Sequence, residues 1–137
     1  MHFLIRTPLV KLIRNSPLCN EGIVYKIPCG CGRFYIGQSG KSLDKRISQH
    51  KYSISRNDQR SAINIHTQTC NFPMKWSESI PIFFRKNFVE RNIIESACIH
   101  HTKTVHMNSN FGLYKLDPVV LHVFKQQFKL KDILDVT

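Results

Sequence analysis

The first third of the chain contains two short runs of β-branched and aromatic residues separated by a glycine-rich turn. Residues 22–28 read Gly-Ile-Val-Tyr-Lys-Ile-Pro, and residues 33–37 read Arg-Phe-Tyr-Ile-Gly. Such runs are typical of β-strands, and the proline ends the first of them. Between the runs, Gly30 and Gly32 are free to adopt positive φ angles in a tight turn. The pattern therefore predicts an antiparallel hairpin.

Beyond Gly40 the apolar spacing changes from that of a strand to that of a helix. Leu43, Ile47 and Ile54 are four and seven residues apart, so they form one apolar stripe on a predicted helix. A polar link follows, and residues 61–69 are predicted to form a short helix or turn.

The next segment predicts a strand followed by a helix. Residues 72–84 contain two prolines, so we expect a loop first and a strand only at 80–84. Asn87 precedes Glu90 by three residues, which is the spacing of a helix N-cap with its acidic partner. The helix that begins there is expected to end near His101.

The remaining residues predict a loop over 102–117 and a last helix with Pro118 in its first turn. The order of elements predicts an α+β fold, with a small three-stranded antiparallel β-sheet flanked by helices. We divide the chain into a leader or remnant of an upstream region at 1–20, a main domain at 21–120, and a C-terminal helix or tail at 121–137.

Composition and charge narrow the class of protein. The chain has 137 residues, of which 42% are hydrophobic, which is enough for one packed domain and excludes wholesale disorder. Lys and Arg together number 20 against 9 acidic residues, a formal net charge of +11 with histidine neutral. A domain this basic favours a polyanionic partner, nucleic acid first. Because no run of 18 apolar residues occurs, the sequence predicts no membrane span and no membrane partner.

The two tyrosine-containing runs of the hairpin resemble the GIY-YIG endonuclease domain. Residues 22–25 read Gly-Ile-Val-Tyr and residues 35–37 read Tyr-Ile-Gly, with ten residues from tyrosine to tyrosine. Within that superfamily the chain most resembles the endonuclease of Penelope-like retroelements, and the match runs over residues 21–120. The further residues that carry this resemblance are Cys29, Cys31, Gln38, Ser39, Ser42, Leu43, 46–50, 64–66, Trp76, 91–97, Met107 and Asn108.

The resemblance implies an enzyme and a cofactor. It implies a metal-dependent DNA endonuclease that nicks DNA by phosphodiester hydrolysis with Mg²⁺ or Mn²⁺, derived from a Penelope-like retrotransposon. Its partners would be DNA and, within an element, a reverse transcriptase. A chromosomal substrate further implies a nuclear location. Two alternatives stay open: a catalytically inactive, zinc-stabilised DNA-binding module from a retroelement remnant, and an RNA-binding protein, which rests on the net charge alone.

The resemblance assigns Tyr25 as the general base and Tyr35 as the residue that orients water or phosphate. Phosphodiester hydrolysis needs a water activator, a fixed cation near the phosphate and a metal ion. We expect Arg46 and the metal ion to lower the Tyr25 pKa, because a free phenol is a poor base at neutral pH. The full set of catalytic residues that the resemblance implies is Tyr25, Tyr35, Arg46, His50, Glu95 and Asn108.

The other catalytic candidates have distinct expected roles. The guanidinium of Arg46 suits phosphate oxygens, and His50, one helical turn later, is expected to donate to the same phosphate or to relay a proton. Glu95 is implied as the Mg²⁺ or Mn²⁺ ligand, although an ion pair with Arg91 also accounts for it. Asn108 is implied as a hydrogen-bonding loop residue near the site. Except for Asn108, these groups and the two tyrosines are expected to converge on one concave, positively charged patch.

A one-sided charge balance predicts the DNA-binding surface. Residues 33–60 contain seven cationic and two acidic side chains. This imbalance favours salt-sensitive, weakly sequence-specific contacts with the phosphate backbone. Besides Arg46, the cations predicted to bind DNA are Arg33, Lys41, Lys45, Lys51, Arg56 and Arg60.

The resemblance also implies a structural zinc site, since the Penelope-like family has two cysteines between the tyrosine motifs and two later histidines. Cys29, Cys31 and His66 match three of these positions, but the fourth falls at Phe72, which cannot bind a metal. Cys70 lies four residues after His66, a spacing that places both on one face of a helix. A Cys₃His site for Zn²⁺ is therefore predicted, and the alternative is that this copy has lost the metal.

Overall fold

The computed structural model describes residues 21–102, 106–108 and 117–134, apart from the side chains of residues 131 and 132. The predicted leader at 1–20, most of the predicted loop at 102–117 and the last three residues lie outside this part of the chain. The elements in chain order are β1 Ile23–Pro28, β2 Phe34–Ser39, α1 Leu43–Ser55, α2 Ala62–Thr69, a 3₁₀ turn Trp76–Glu78, β3 Ile80–Phe84, α3 Phe88–His101, α4 Pro118–Gln127 and α5 Leu130–Leu134.

The predicted α+β fold with a three-stranded antiparallel sheet is confirmed. The strand order is β2-β1-β3, so β1 is central and β2 lies at an edge. Within the described ranges, we find no helix that combines the length and the apolar character needed to cross a lipid bilayer.

The predicted hairpin of β1 and β2 is confirmed, and its register pairs Tyr25 with Gly37. Of the two turn glycines, Gly32 uses its freedom and has a φ of +95°, whereas Gly30 does not adopt a positive φ. Gly30 is required for space instead, since a Cβ there would lie 3.1 Å from the Cβ of Phe72. The turn thus uses one glycine for its conformation and the other for a close approach of two segments.

Helices cover both faces of the sheet, because alternate residues of β1 point to opposite sides. One buried cluster joins β1 to α1 and α2 and consists mainly of Ile23, Tyr25, Ile27, Leu43, Ile47 and Ile63. The cluster on the other face joins the sheet to α3 and α5 and includes Val24, Ile36, Phe83, Ile94, Leu130 and Leu134. The C-terminal helices therefore pack on the same core as the hairpin.

Every helix except α5 begins at a polar residue whose side chain accepts a hydrogen bond from a backbone N–H. These N-caps are Ser42, Ser61, Asn87 and Asp117, and the prediction that Asn87 starts a helix is confirmed. Each such cap is worth about 1 kcal/mol, because it satisfies a donor that the helix leaves unpaired.

The outer edge of β2 is covered by two side chains from later in the chain. Asn108 pairs with the backbone of Ile36, accepting from its N–H at 3.0 Å and donating to its carbonyl oxygen at 2.7 Å. Two residues further along, the Glu95 carboxylate lies beside the backbone N–H of Gln38, which lowers the Glu95 pKa. The edge of β2 therefore brings together parts of the chain that are far apart in sequence, and its exposed hydrogen-bonding groups are used internally.

Candidate active site and metal centre

Tyr25 and His50 form a buried pair on the α1 face of the sheet. The Tyr25 side chain is fully buried, and its hydroxyl oxygen lies 2.8 Å from Nε2 of His50. Burial, with a smaller contribution from Arg46, lowers the His50 pKa to about 3, so the imidazole is neutral at pH 7. In the tautomer that carries its proton on Nδ1, the imidazole accepts the Tyr25 hydroxyl proton at Nε2. Of the two predicted roles for His50, this contact favours proton relay over direct donation to phosphate.

The pKa of Tyr25 is raised well above its usual value, mainly by burial and next by the Tyr35 phenol. The nearby Arg46 guanidinium lowers this pKa, as predicted. The net shift is nevertheless upward, because one guanidinium cannot offset the cost of removing a phenolate from water.

Tyr35 completes a group of three rings and keeps part of its surface exposed. Its ring centroid lies 6.2 Å from that of Tyr25 and 5.0 Å from that of His50. Burial and the Glu95 carboxylate raise the Tyr35 pKa. Because Arg46 and Glu95 are also only partly buried, these two residues and Tyr35 form the side of the site that a substrate can reach, with Tyr25 and His50 behind them.

Glu95 reaches this site from the opposite face of the sheet. It projects from α3, but its carboxylate lies beside the Gln38 N–H at the edge of β2 and within electrostatic reach of Tyr35 and Arg46. Burial raises the Glu95 pKa to about 7, against the lowering effect of Arg46 and of the Gln38 hydrogen bond. The carboxyl is therefore close to half-ionised at neutral pH. Although α3 packs on the face of the sheet opposite α1, the Glu95 carboxylate still acts electrostatically on Tyr25 and Tyr35.

The ion pair that the spacing of Arg91 and Glu95 allowed is replaced by other contacts. Nε of Arg91 donates to Oε1 of Gln38 at 3.0 Å, and Nη1 donates to the carbonyl oxygens of Arg85 and Lys86 at 3.2 and 2.6 Å. Sequence reasoning missed both Arg91 and Gln38 as parts of the site. The signal available for Arg91 was a basic residue one helical turn before the candidate carboxylate.

Five of the six predicted catalytic side chains come together, and Asn108 is placed differently. Both polar atoms of its amide are used by the backbone of Ile36, which is the neighbour of Tyr35. Asn108 therefore holds the outer side of β2 rather than joining the cluster around Tyr25.

The predicted DNA-binding cations are all exposed, but two of them already have an acidic partner. Arg56 lies 2.8 Å and Arg60 3.2 Å from the carboxylate of Asp58, while the Lys51 ammonium lies 5.5 Å from the centre of the Trp76 ring. Asp58 therefore offsets part of the positive charge of Arg56 and Arg60. The other cations predicted to bind DNA, besides Lys51, are Arg33, Lys41 and Lys45.

Three cysteines and a histidine meet where the hairpin turn contacts α2. The ligand atoms of Cys29, Cys31, His66 and Cys70 all lie within 4.8 Å of one another. Cys29 follows β1, Cys31 lies in the turn, and His66 and Cys70 lie in and just after the last turn of α2. The predicted grouping of these four residues, with Cys70 in place of a second histidine, is confirmed.

Three of the six distances between ligand atoms of this Cys₃His group are close to those around a tetrahedral zinc ion, and all six are within 4.8 Å. The Sγ atoms of Cys29 and Cys70 are 3.8 Å apart, and Nε2 of His66 lies 3.4 Å from Sγ of Cys29 and 3.5 Å from Sγ of Cys31. Zinc bonds of about 2.3 Å to sulfur and about 2.0 Å to nitrogen would give ligand separations of about 3.8 and 3.6 Å. The group can therefore hold a metal ion such as zinc.

A neighbouring backbone group supports one ligand of the Cys₃His group. The N–H of Phe72 donates to Sγ of Cys70 at 3.4 Å, which is the kind of contact that orients a metal-binding thiolate. The Phe72 side chain is itself exposed. The residue at the position of the expected second histidine thus assists through its backbone.

The glycine opposite Tyr25 is required because the phenol lies across it. A Cβ on Gly37 would lie 2.4 Å from the Tyr25 hydroxyl oxygen and 2.8 Å from Cε1 of Tyr35. We expect Gly37→Ala to push Tyr25 away from His50 and to lower the free energy of unfolding, measured with urea, by about 1–3 kcal/mol. Gly40→Ala is the matched control, since its nearest contact would be an ordinary 3.5 Å. Equal effects of the two substitutions would contradict this explanation.

Comparison of the chain with models of known protein families, with curated proteins and with solved structures found no match. The resemblance to the GIY-YIG endonucleases therefore stays a prediction based on the motifs and on the placement of their residues.

Proposed function

We propose that the chain is a metal-dependent DNA endonuclease of the GIY-YIG type, like those of Penelope-like retroelements, and that it nicks DNA with Mg²⁺ or Mn²⁺. The observation that carries the proposal is the convergence of five side chains from four elements at one edge of the sheet. Together they offer a proton acceptor, a fixed cation and a carboxylate, which are the groups that phosphodiester hydrolysis requires. The five are Tyr25, Tyr35, Arg46, His50 and Glu95.

In this proposal, Tyr25 acts as a base only together with His50. With the proton of the neutral imidazole on Nδ1, the Tyr25 hydroxyl faces an accepting Nε2 at 2.8 Å, so Tyr25 can take a proton from water while passing its own proton to Nε2. The water oxygen then bonds to phosphorus, and the bond from phosphorus to the leaving oxygen breaks. The leaving oxygen takes a proton from solvent. Arg46, whose Nη1 donates to Oε1 of Gln49 at 2.7 Å in the protein alone, would turn to the phosphate.

Glu95 is the residue that would hold the divalent cation. A single carboxylate with water completing the shell suits Mg²⁺, which keeps much of its hydration. A bound cation would stabilise the negative charge on the phosphate and on the leaving oxygen. The environment of Glu95 fits this role. Burial disfavours the ionised carboxylate and raises its pKa to about 7, so a nearby cation would stabilise the ionised form strongly.

Zinc in the Cys₃His group has a structural role in the proposal. Four protein ligands close a tetrahedral shell and leave no position for a substrate. The metal would join the hairpin turn to α2, which contacts α1, so it would steady the face on which Arg46 and His50 lie.

The second candidate function is a zinc-stabilised DNA-binding module that does not cut. The observation that favours it is the complete burial of Tyr25 and its raised pKa, since a hidden, protonated phenol is a poor base. Both candidates predict DNA binding, and only the first predicts nicking.

Nicking of supercoiled plasmid by the purified full chain distinguishes the endonuclease from the DNA-binding module. With Mg²⁺ or Mn²⁺ we expect open-circular product from the wild type, and a rate at least about a hundredfold lower for Tyr25→Phe and for Glu95→Gln. Glu90→Gln, which removes an exposed acid from the same helix, should match the wild type. Bound but uncut DNA would support the second candidate, while a wild type equal to Glu95→Gln would end the proposal of an enzyme.

A further inference from the structure

A cavity of about 360 Å³ lies between α2 and the segment that runs along the outer edge of β2. One wall is a single face of α2, made of residues that are three and four positions apart. The second wall is residues 106–108, and Arg33 completes the lining. Neither the proposed hydrolysis nor the Cys₃His group uses this space. The lining residues of α2 are Ala62, Ile65, His66 and Thr69.

The second wall is held to the sheet by its backbone. His106 forms a parallel bridge with Phe34, and the N–H of Met107 donates to the carbonyl oxygen of Phe34 at 2.8 Å. The pairing of Asn108 with the backbone of Ile36 continues this contact. A helix and sheet-paired backbone therefore bound the cavity, so its shape is fixed before a ligand arrives.

The lining of the cavity carries positive charge. Arg33 is exposed, and its Nη1 donates to the carbonyl oxygen of His106 at 3.5 Å. Among the ion pairs found in residues 21–102, 106–108 and 117–134, none includes Arg33, and none of the described residues that line the cavity is acidic. Because a guanidinium suits phosphate oxygens, the cavity favours an anionic ligand.

Two apolar side chains of the lining suit a flat aromatic group. Ile65 is 43% exposed on the α2 side, and Met107 lies in the second wall. A thioether makes favourable contacts with aromatic rings. A ligand that carries a phosphate next to an aromatic ring matches this combination with Arg33, and a nucleotide is such a ligand.

The cavity lies beside the candidate active site. The N–H of Cys29 donates to the carbonyl oxygen of Arg33 at 2.8 Å, so the pairing of the hairpin continues to Arg33. The side chains of Arg33 and Tyr35, two positions apart in extended chain, therefore leave the same face about 7 Å apart. A DNA strand with one phosphate at Tyr35 can place its neighbouring nucleotide at Arg33.

We propose that this cavity binds one unpaired nucleotide of the DNA strand that is cut, with its phosphate on Arg33 and its base against Ile65 and Met107. The inference rests on the proposed function, because it takes the strand from the candidate active site. The volume is near the lower end of the range of about 300–1,000 Å³ for small-ligand sites, so it admits one base but no duplex. The base must leave the stack to enter, and DNA that already has an unpaired nucleotide near the cut is favoured because it avoids that cost.

Affinities of the full chain for two DNA duplexes test the inference. The duplexes are identical except for one extra, unpaired adenine, and binding is followed by fluorescence anisotropy without added Mg²⁺. We expect the wild type to bind the duplex with the unpaired adenine about tenfold more tightly, which is within the range for stacking of a single base. Ile65→Glu should abolish this preference, because its carboxylate would repel the phosphate. Gln68→Glu is the matched control, since it adds the same charge to an exposed position of α2 outside the cavity and should keep the preference.

Arg33→Gln tests the phosphate contact separately. It should weaken binding of the duplex with the unpaired adenine about tenfold, which is typical of a lost hydrogen bond to a charged group. Lys86→Gln is its control, because Lys86 is an exposed cation that pairs with Glu21 and does not line the cavity. Equal affinity of the wild type for the two duplexes would overturn the inference, and so would a preference that Ile65→Glu and Arg33→Gln both leave intact.

Two further measurements separate the remaining explanations. If deoxyadenosine monophosphate binds the wild type but not Ile65→Glu, while the two duplexes bind equally, the cavity takes a free nucleotide and the assignment to the DNA strand is overturned. If the duplex with the unpaired adenine is preferred but Mg²⁺ produces no nick in either duplex, the endonuclease proposal fails and the nucleotide site stands. Nicking of both duplexes with equal rates and equal affinities would keep the endonuclease and end this inference.

Discussion

Removing the metal from the Cys₃His group is expected to destabilise the domain more than any substitution considered above. Three thiol groups and an imidazole lie within 4.8 Å of one another, and a bound metal would hold the hairpin turn against α2. A metal present at about a thousand times its dissociation constant adds about 4 kcal/mol to the free energy of unfolding. Because two apolar clusters hold the sheet on either face, we expect this loss to weaken the domain without abolishing its strands.

Elemental analysis and thermal unfolding of the purified chain check this prediction. We expect about one zinc per chain, a large fall in melting temperature with a chelator, and loss of both zinc and stability in Cys29→Ser. Cys98→Ala is the matched control, because Cys98 is buried in the other cluster and should leave the zinc content unchanged. Substoichiometric zinc in the wild type, with a melting temperature that a chelator does not change, would show that this copy does not use the metal.

Loss of metal from the Cys₃His group is also expected to lower activity at the candidate active site. Tyr25 lies in β1, and Cys29 follows the end of that strand four residues later. Both belong to the same buried cluster, and four residues of extended chain span about 13 Å. Chelation should therefore lower nicking even when Mg²⁺ is supplied afterwards. Zinc, but not further Mg²⁺, should restore it.

The predictions that held depend on short-range signals. The hairpin follows from two β-branched runs and a glycine turn, and α3 begins where Asn87 and Glu90 give a capping pattern. In both cases the residues that decide the structure are neighbours in sequence, so their spacing carries the information. The metal group is different, because the family resemblance linked Cys29 and Cys31 to the distant His66 and only Cys70 followed from local spacing.

The predictions that failed depend on packing between distant segments. The sign of the Tyr25 pKa shift is set by complete burial under α1, which no local pattern gives. Similarly, the spacing of Arg91 and Glu95 allowed an ion pair, but the path of the chain after β3 offers Arg91 two carbonyl oxygens instead. The pairing of Asp58 with Arg60, two residues away, is local and could have been predicted.

Glu95→Gln is expected to stabilise the protein at alkaline pH while removing its ability to bind a divalent cation. Burial raises the Glu95 pKa from 4.5 to about 7, so the native state favours the protonated carboxyl. The stability that this carboxyl contributes is complete below pH 4.5 and is lost as the pH rises through 7. The difference between the two pKa values corresponds to roughly 3 kcal/mol. Because part of the side chain is exposed, we expect a gain of about 1–2 kcal/mol at pH 8.

Urea unfolding of the wild type and Glu95→Gln between pH 4 and 8 measures this difference directly. The two proteins should be equally stable near pH 4 and should diverge as the pH rises. His50 acts in the opposite sense, because its lowered pKa makes stability fall as the pH drops below 6.5, but this effect is common to both proteins and cancels in the difference. Mg²⁺ should stabilise only the wild type at pH 8. A difference that stays constant with pH would mean that the Glu95 carboxylate is well solvated, and a solvated carboxylate at this edge would remove the reason for placing the divalent cation there.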